Sequence, residues 1–93
     1  MAYLVVDQRV QDVRRWAEAF AEGAERRRAA GGEVVLTLAD PVDIGRVLVI
    51  VRFETAQQAR AWRSRPGVAQ EVARGGVIAE SVSVRMLDEM VVS

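Results

Sequence analysis

The segment "RVLVIVRFE" at 46–54 holds five consecutive aliphatic residues, Val47 to Val51, and it constrains the fold more than any other stretch. An extended chain sends alternate side chains to opposite faces, so an unbroken apolar run predicts a central strand covered on both sides. The run is far too short to span a membrane. Two other segments share its character. "AYLVVDQR" at 2–9 is apolar on both faces from Tyr3 to Val6, and "EVVLTLA" at 33–39 predicts a further strand. "SVSVRMLDEM" at 81–90 predicts the last one, with Val82, Val84 and Met86 on one face.

Helical periods lie between these strands. Val13, Trp16, Ala17, Phe20 and Ala24 form one apolar stripe behind Asp12, a carboxylate placed to favour a helix start. Arg14, Arg15, Glu18, Glu22 and Glu25 take the other side, with Glu22 and Arg26 at i,i+4 spacing. Arg26-Arg27-Arg28 falls in the last turn. It reads as compensation of the negative helix end or as an anion-binding patch. Thr55 caps a second helix, "AQQARAWR", whose stripe runs through Ala56, Ala59 and Trp62. Pro66 cannot continue that helix, so a break at Ser64-Arg65 and a restart through "GVAQEVAR" are expected. Between the second and third strands, "DPVDIG" at 40–45 carries turn chemistry.

The order is therefore βαββαβ, and its halves echo one another. Each contains a strand, a helix bearing a tryptophan, a glycine pair and another strand. Gly31-Gly32 and Gly75-Gly76 follow helices, the reverse of the strand-loop-helix order of a phosphate-cradling loop. They read as helix stops, with one residue of the pair in the left-handed region. Two split βαβ units make a ferredoxin-like α+β domain: a four-stranded antiparallel sheet with two helices on one face. The second sheet face is left bare yet carries apolar residues, which predicts a homodimer with sheet packed on sheet.

At 93 residues the chain is one domain, 1–93, with a thin core of its own. Composition removes most chemistries. The 13 cationic side chains are all arginine and balance 13 acidic ones, so the electrostatic drive for nucleic-acid binding is absent. An RNA-recognition module on this topology is also disfavoured, because the third strand carries aliphatic residues where stacking rings belong. With no His, Cys or Lys, the usual zinc and copper sites, His-based triads and Schiff-base lysines are excluded. Catalysis would rest on Asp, Glu, Tyr, Arg, Ser or Trp, or on the substrate's own chemistry. Neither metal nor cofactor is expected. The N-terminal segment has no basic region before its short apolar run, and a cytoplasmic location is expected.

The pattern Val10, Asp12, Trp16, Phe20, then "AAGG", an Asp-Pro turn, an apolar strand ending Phe53-Glu54, "ARAW" at 59–62 and "ARGGV" before the last strand resembles the dimeric α+β barrel superfamily. Within it, the chain is similar to small bacterial cyclase-like and antibiotic-biosynthesis-monooxygenase-like proteins. The resemblance spans nearly the whole chain, and its motifs are structural. It implies a homodimer with one small cavity per subunit between helices and sheet. Superfamily members include cofactor-independent monooxygenases of polyketide aromatics, haem-degrading enzymes and polyketide cyclases. The haem degraders are associated with an Asn and an axial His, and this chain has neither. The monooxygenases are associated with Asn, Trp and Arg, for which Trp62 and Arg85 are the counterparts here. Relatives often place a His at the end of the first strand; here that position is Gln8.

The candidate site residues follow from these readings. Trp16 and Trp62 are either helix anchors or cavity walls, and Trp62, with Arg60, Arg63 and Arg65 crowding its helix end, is the stronger ligand candidate. Tyr3 and Arg52 are further candidate ligand contacts. Asp7, beside apolar neighbours, is a candidate base with a raised pKa; otherwise it pairs with Arg52 or Arg85. Ser81, Ser83 and Arg85 alternate along a solvated edge or a polar cavity wall. Arg85 or Arg52 would stabilise an enolate or phenolate. The expected function is a small homodimeric cyclase-like or monooxygenase-like protein binding a mostly apolar aromatic or polyketide-type molecule. A non-catalytic dimerisation or ligand-sensing domain is the alternative.

Overall fold

In the computed structural model, which describes residues 1–92, the apolar run lies in the middle of a four-stranded antiparallel sheet. The strands are β1 (Ala2–Arg9), β2 (Glu33–Ala39), β3 (Arg46–Phe53) and β4 (Ser83–Asp88), in the spatial order β2-β3-β1-β4. The helices are α1 (Val13–Glu22), α2 (Ala24–Ala29), α3 (Ala56–Arg63) and α4 (Val68–Arg74), with a short 3₁₀ turn at Ala79–Ser81 before β4. This is the ferredoxin-like arrangement expected from the order of periods. No helix of the described residues is long and apolar enough to cross a membrane.

Side-chain alternation divides the sheet into an inner face under the helices and an open face. Val47, Val49, Val51 and Phe53 of β3 point inward, each 1–3% exposed, and pack with Leu4, Trp16 and Ala59. On the open face, Tyr3, Val5 and Asp7 of β1 lie opposite Arg52, Ile50 and Leu48 of β3. Leu36 and Leu38 of β2 oppose Ile50 and Leu48, and Leu87 of β4 opposes Tyr3. The central strand is thus covered on one side only. Every residue of the edge strand β2 is exposed, and a register shift between Val34 and Leu36 bulges it.

Both helical regions are broken in two. The break after Arg63 falls where Pro66 predicts it. The first break does not follow from the apolar stripe: the single predicted helix stops at Gly23, which separates α1 from α2. Asp12 caps α1, accepting from the backbone N–H groups of Arg14 at 2.9 Å and Arg15 at 3.1 Å. Thr55 and Gln58 cap α3 reciprocally.

The two glycine pairs end α2 and α4 by the same device. Gly31 N–H bonds to Arg28 carbonyl and Gly32 N–H to Arg27 carbonyl, while Gly76 bonds to Ala73 and Val77 to Val72. These paired bonds are the Schellman pattern, with Gly31 (φ 91°) and Gly76 (φ 73°) in the left-handed region. Gly32 has a second role. A Cβ there would lie 3.0 Å from both the Phe53 ring and the Arg27 side chain, so glycine lets the two pack against the backbone.

Candidate functional site

A cavity of about 150 Å³ lies between the inner face and the helices. Leu4, Val6, Gln8 and Val51 supply its floor. Trp16 and Phe20, one turn apart on α1, form one wall, their rings stacked at 5.1 Å and 18°. Trp62 from α3 and Val68 and Val72 from α4 form the opposite wall. Ala59, completely buried, lets α3 approach the sheet and carries Trp62 to the cavity three residues later. A dry cavity of this volume holds about one benzene ring. Drug-sized ligands use roughly 300–1,000 Å³.

The upper rim is cationic. Five arginines (26, 27, 63, 65 and 74) and two glutamates (22 and 71) line the cavity. At the break the Phe20 carbonyl accepts the Gly23 backbone N–H at 3.2 Å, and the Arg27 guanidinium turns back to donate to it as well at 2.7 Å. Arg27 also lies over the Phe20 ring, 3.8 Å from its centroid, and the residue is only 5% exposed. It makes no salt bridge with the described residues. Burial first, then the charges of Arg65 and Arg26, hold its pKa below the ordinary arginine value.

Arg65 repeats the arrangement in the second half. Its guanidinium stacks 3.6 Å over Trp62, donates to the Trp62 carbonyl at 2.7 Å and pairs with Glu71. Its Nε is buried without a hydrogen-bond partner. Glu71 also meets Arg26 at 3.4 Å. The Arg65 hydrogen bond draws the Glu71 pKa below the usual carboxylate value despite opposing desolvation. Glu71 is therefore an ion-pair partner and a poor proton acceptor. Gln8, 7% exposed, adds an amide to the floor.

The structure separates the residues that the sequence groups together. Trp62 lines the cavity, and Trp16 is both core and wall. Tyr3, Asp7, Arg52 and Arg85 lie on the open face, with the sheet between them and Trp62. Asp7 accepts both Arg46 Nε at 3.1 Å and Arg46 Nη2 at 2.8 Å. That hydrogen bonding lowers its pKa, so the expected raised value is corrected, and its main partner is neither Arg52 nor Arg85. Arg52 pairs with Glu33, and Tyr3 donates to Glu89 at 2.9 Å. Arg85 is exposed beside Val5, away from any cavity residue. Ser81 bonds to the Arg9 backbone N–H at 2.8 Å, and Ser83 is exposed on the open face.

Arg27 and Arg65 are the cavity cations instead. Helical spacing from Phe20 does not carry to Arg27, because the helix breaks at Gly23 between them. Arg65 was marked only by its closeness to Trp62.

No protein-family model matches the chain, and no curated protein matches it by sequence. Solved structures do match it in fold. A provisionally assigned antibiotic biosynthesis monooxygenase from Bordetella bronchiseptica superposes with a TM-score of 0.77 at 16% identity, covering 97% of each chain. SnoaB, a cofactor-independent oxygenase from Streptomyces nogalater, gives 0.71 at 12% identity, covering 98% of this chain and 94% of its own. An uncharacterized NIPSNAP domain protein from Burkholderia xenovorans gives 0.68 at 10% identity, covering 97% and 95%. Several of these structural neighbours are described as antibiotic biosynthesis monooxygenases, and this chain shares their ferredoxin-like α+β fold.

Proposed function

We propose that this chain is a small homodimeric monooxygenase-like or cyclase-like protein that works without metal or haem and binds one ring-sized apolar molecule per subunit. The cavity walled by Trp16, Phe20 and Trp62 is the observation that carries the reading. Its floor is aliphatic apart from Gln8, and its volume matches a single aromatic ring. A polyketide of several fused rings would need the walls to part. The fold shared with a cofactor-independent oxygenase supports the same direction.

The homodimer rests on the open face. Val5, Leu36, Leu38, Leu48, Ile50 and Leu87 form an apolar field there, with Arg9, Arg46, Arg52, Glu33 and Asp7 around it. Leu36, Leu38 and Leu87 are each about half exposed (48–51%) in the single chain. A second copy related by a twofold axis would cover this field and bring the mixed charges of each rim together.

A second reading, a ligand-sensing domain without turnover, is favoured by one specific observation. The carboxylate in the cavity wall with a displaced pKa, Glu71, is shifted toward the ion and bound by two arginines. Native mass spectrometry of protein purified from its own host tests the common ground: a dimer carrying a small aromatic guest is expected. A ligand-free monomer would overturn both readings. Oxygen uptake and product analysis with that guest then separate them, since only the catalytic reading expects turnover that Trp62→Ala removes.

A further inference from the structure

Arg27 presents a problem that the apolar cavity does not solve. Its residue is 5% exposed, its charge has no carboxylate partner among the described residues, and its single hydrogen bond goes to the Phe20 carbonyl. A buried cation without a counter-ion is costly, and proteins ordinarily pair it or bind an anion to it. Glu71, the acid that acts on Arg27 through space, is already engaged by Arg65 and Arg26. On the other side of the same cavity Arg65 Nε is buried with no partner.

Arg27 keeps Nε and Nη1 without a partner among the described residues, whereas Arg65 is committed through Nη1 to the Trp62 carbonyl and through Nη2 to Glu71. Each lies flat on an aromatic ring, Arg27 on Phe20 and Arg65 on Trp62. A stacked guanidinium uses its face against the ring and keeps its N–H donors in the plane of the edge. Carboxylates meet that edge in a two-point fork. Apart from the Gln8 amide, the floor of Leu4, Val6 and Val51 is aliphatic, so a bare inorganic anion at the rim would leave most of it wet. The occupant therefore has two ends: an apolar body on the floor and an anionic head at the rim.

We infer that the cavity binds a monocyclic aromatic carboxylate of benzoate size, its ring on the largely aliphatic floor between the tryptophans and its carboxylate on the free edge of Arg27, with the Arg65–Glu71 pair beside it. A carboxylate fits better than a phenol because it is fully ionised at neutral pH and so neutralises Arg27 in the resting complex. This assignment rests on the cavity reading proposed above and narrows its substrate class.

The test uses the intact protein, intrinsic tryptophan fluorescence and calorimetry, with benzoate, its neutral isostere benzamide, and inorganic phosphate as probes. Benzoate should bind about tenfold or more tighter than benzamide, the size of one charge-assisted contact pair. Phosphate should neither bind nor compete at comparable concentration. Arg27→Met should bring the two aromatic ligands to within about twofold of each other, while Arg28→Gln, at an exposed position, preserves the gap. The wild-type comparison decides the matter even if Arg27→Met does not fold. Equal binding of benzoate and benzamide overturns the anion assignment and leaves the cavity reading standing. Binding of neither overturns the cavity reading and this inference with it. Phosphate competing as well as benzoate reduces the rim to a simple anion patch and also overturns the inference.

Discussion

The two faces of one strand set the terms for this molecule. Val47, Val49, Val51 and Phe53 of β3 are almost wholly buried, while Leu48 and Ile50, equally apolar and interleaved with them, stay partly exposed. The difference lies in what stands above each face. Two broken helical regions cover the inner face and leave a small cavity with a cationic rim. Nothing in the single chain covers the other. Residue type is nearly the same on both faces, so the contrast teaches that apolar character marks a surface to be buried without saying by what. The inner face is buried by the chain itself and becomes core and cavity; the open face is the one that the proposed second copy would cover.

That contrast can be broken from either side. The largest effect is expected inside. Phe53→Ala should cost about 3–5 kcal/mol in urea unfolding, a large share of the ~5–15 kcal/mol typical of a domain. A loss under about 1 kcal/mol would show the inner face to be poorly packed. On the open face, Ile50→Glu should weaken self-association by about 100-fold or more, because it buries a carboxylate in an apolar interface. Sedimentation would show monomer where the parent is dimer, with far-UV circular dichroism unchanged. An unaltered mass would remove the open face as the association surface.

Smaller effects sharpen the assignment of roles. Trp62→Ala should reduce aromatic-ligand affinity by about tenfold, the worth of one lost ring contact, whereas Arg85→Ala should leave it unchanged. The reverse pattern would move the site to the open face. The pH dependence is the mildest test. The pKa values of Asp7 and Glu71 are lower in the folded state, chiefly through hydrogen bonds from Arg46 and Arg65. Their contribution is therefore present above the unfolded carboxylate values, near pH 4, and is lost as pH falls through the lower folded ones. With no His or Cys, the melting temperature should be nearly flat from about pH 5 to 8 and decline below about pH 4. Glu71→Gln should flatten that acid limb by up to about 1 kcal/mol, since both partners are partly solvated. A titration centred near pH 6–7 would contradict this account.

Much of the fold was legible because it rests on local rules. The apolar run at 47–51, the caps Asp12 and Thr55, the stop at Pro66 and the two glycine pairs all act over a few residues, and each lies where its pattern places it. Gly23 was missed because a single glycine within a helical period is tolerated as often as it breaks one. The site was less legible. Trp62, read as helix anchor or cavity wall, lines the cavity, whereas Tyr3, Asp7, Arg52 and Arg85, grouped with it by chemistry, are sent by strand parity to the other face. For Arg27 the sequence leaves two readings, compensation of a helix end or part of an anion-binding patch. Only the turn at Gly23 folds it back over Phe20.

By itself, the sequence determined the βαββαβ order, the absence of His, Cys and Lys chemistry, and the excess of apolar surface for one sheet. These depend on residue type and on spacing within a few turns. The tertiary structure decided which sheet face the helices cover, and with it which tryptophans and arginines share a cavity. That choice arises from long-range strand pairing, in which a shift of one residue exchanges the two faces. It places Arg27 and Arg65 above a largely aliphatic floor and leaves Asp7 and Arg85 on the other side.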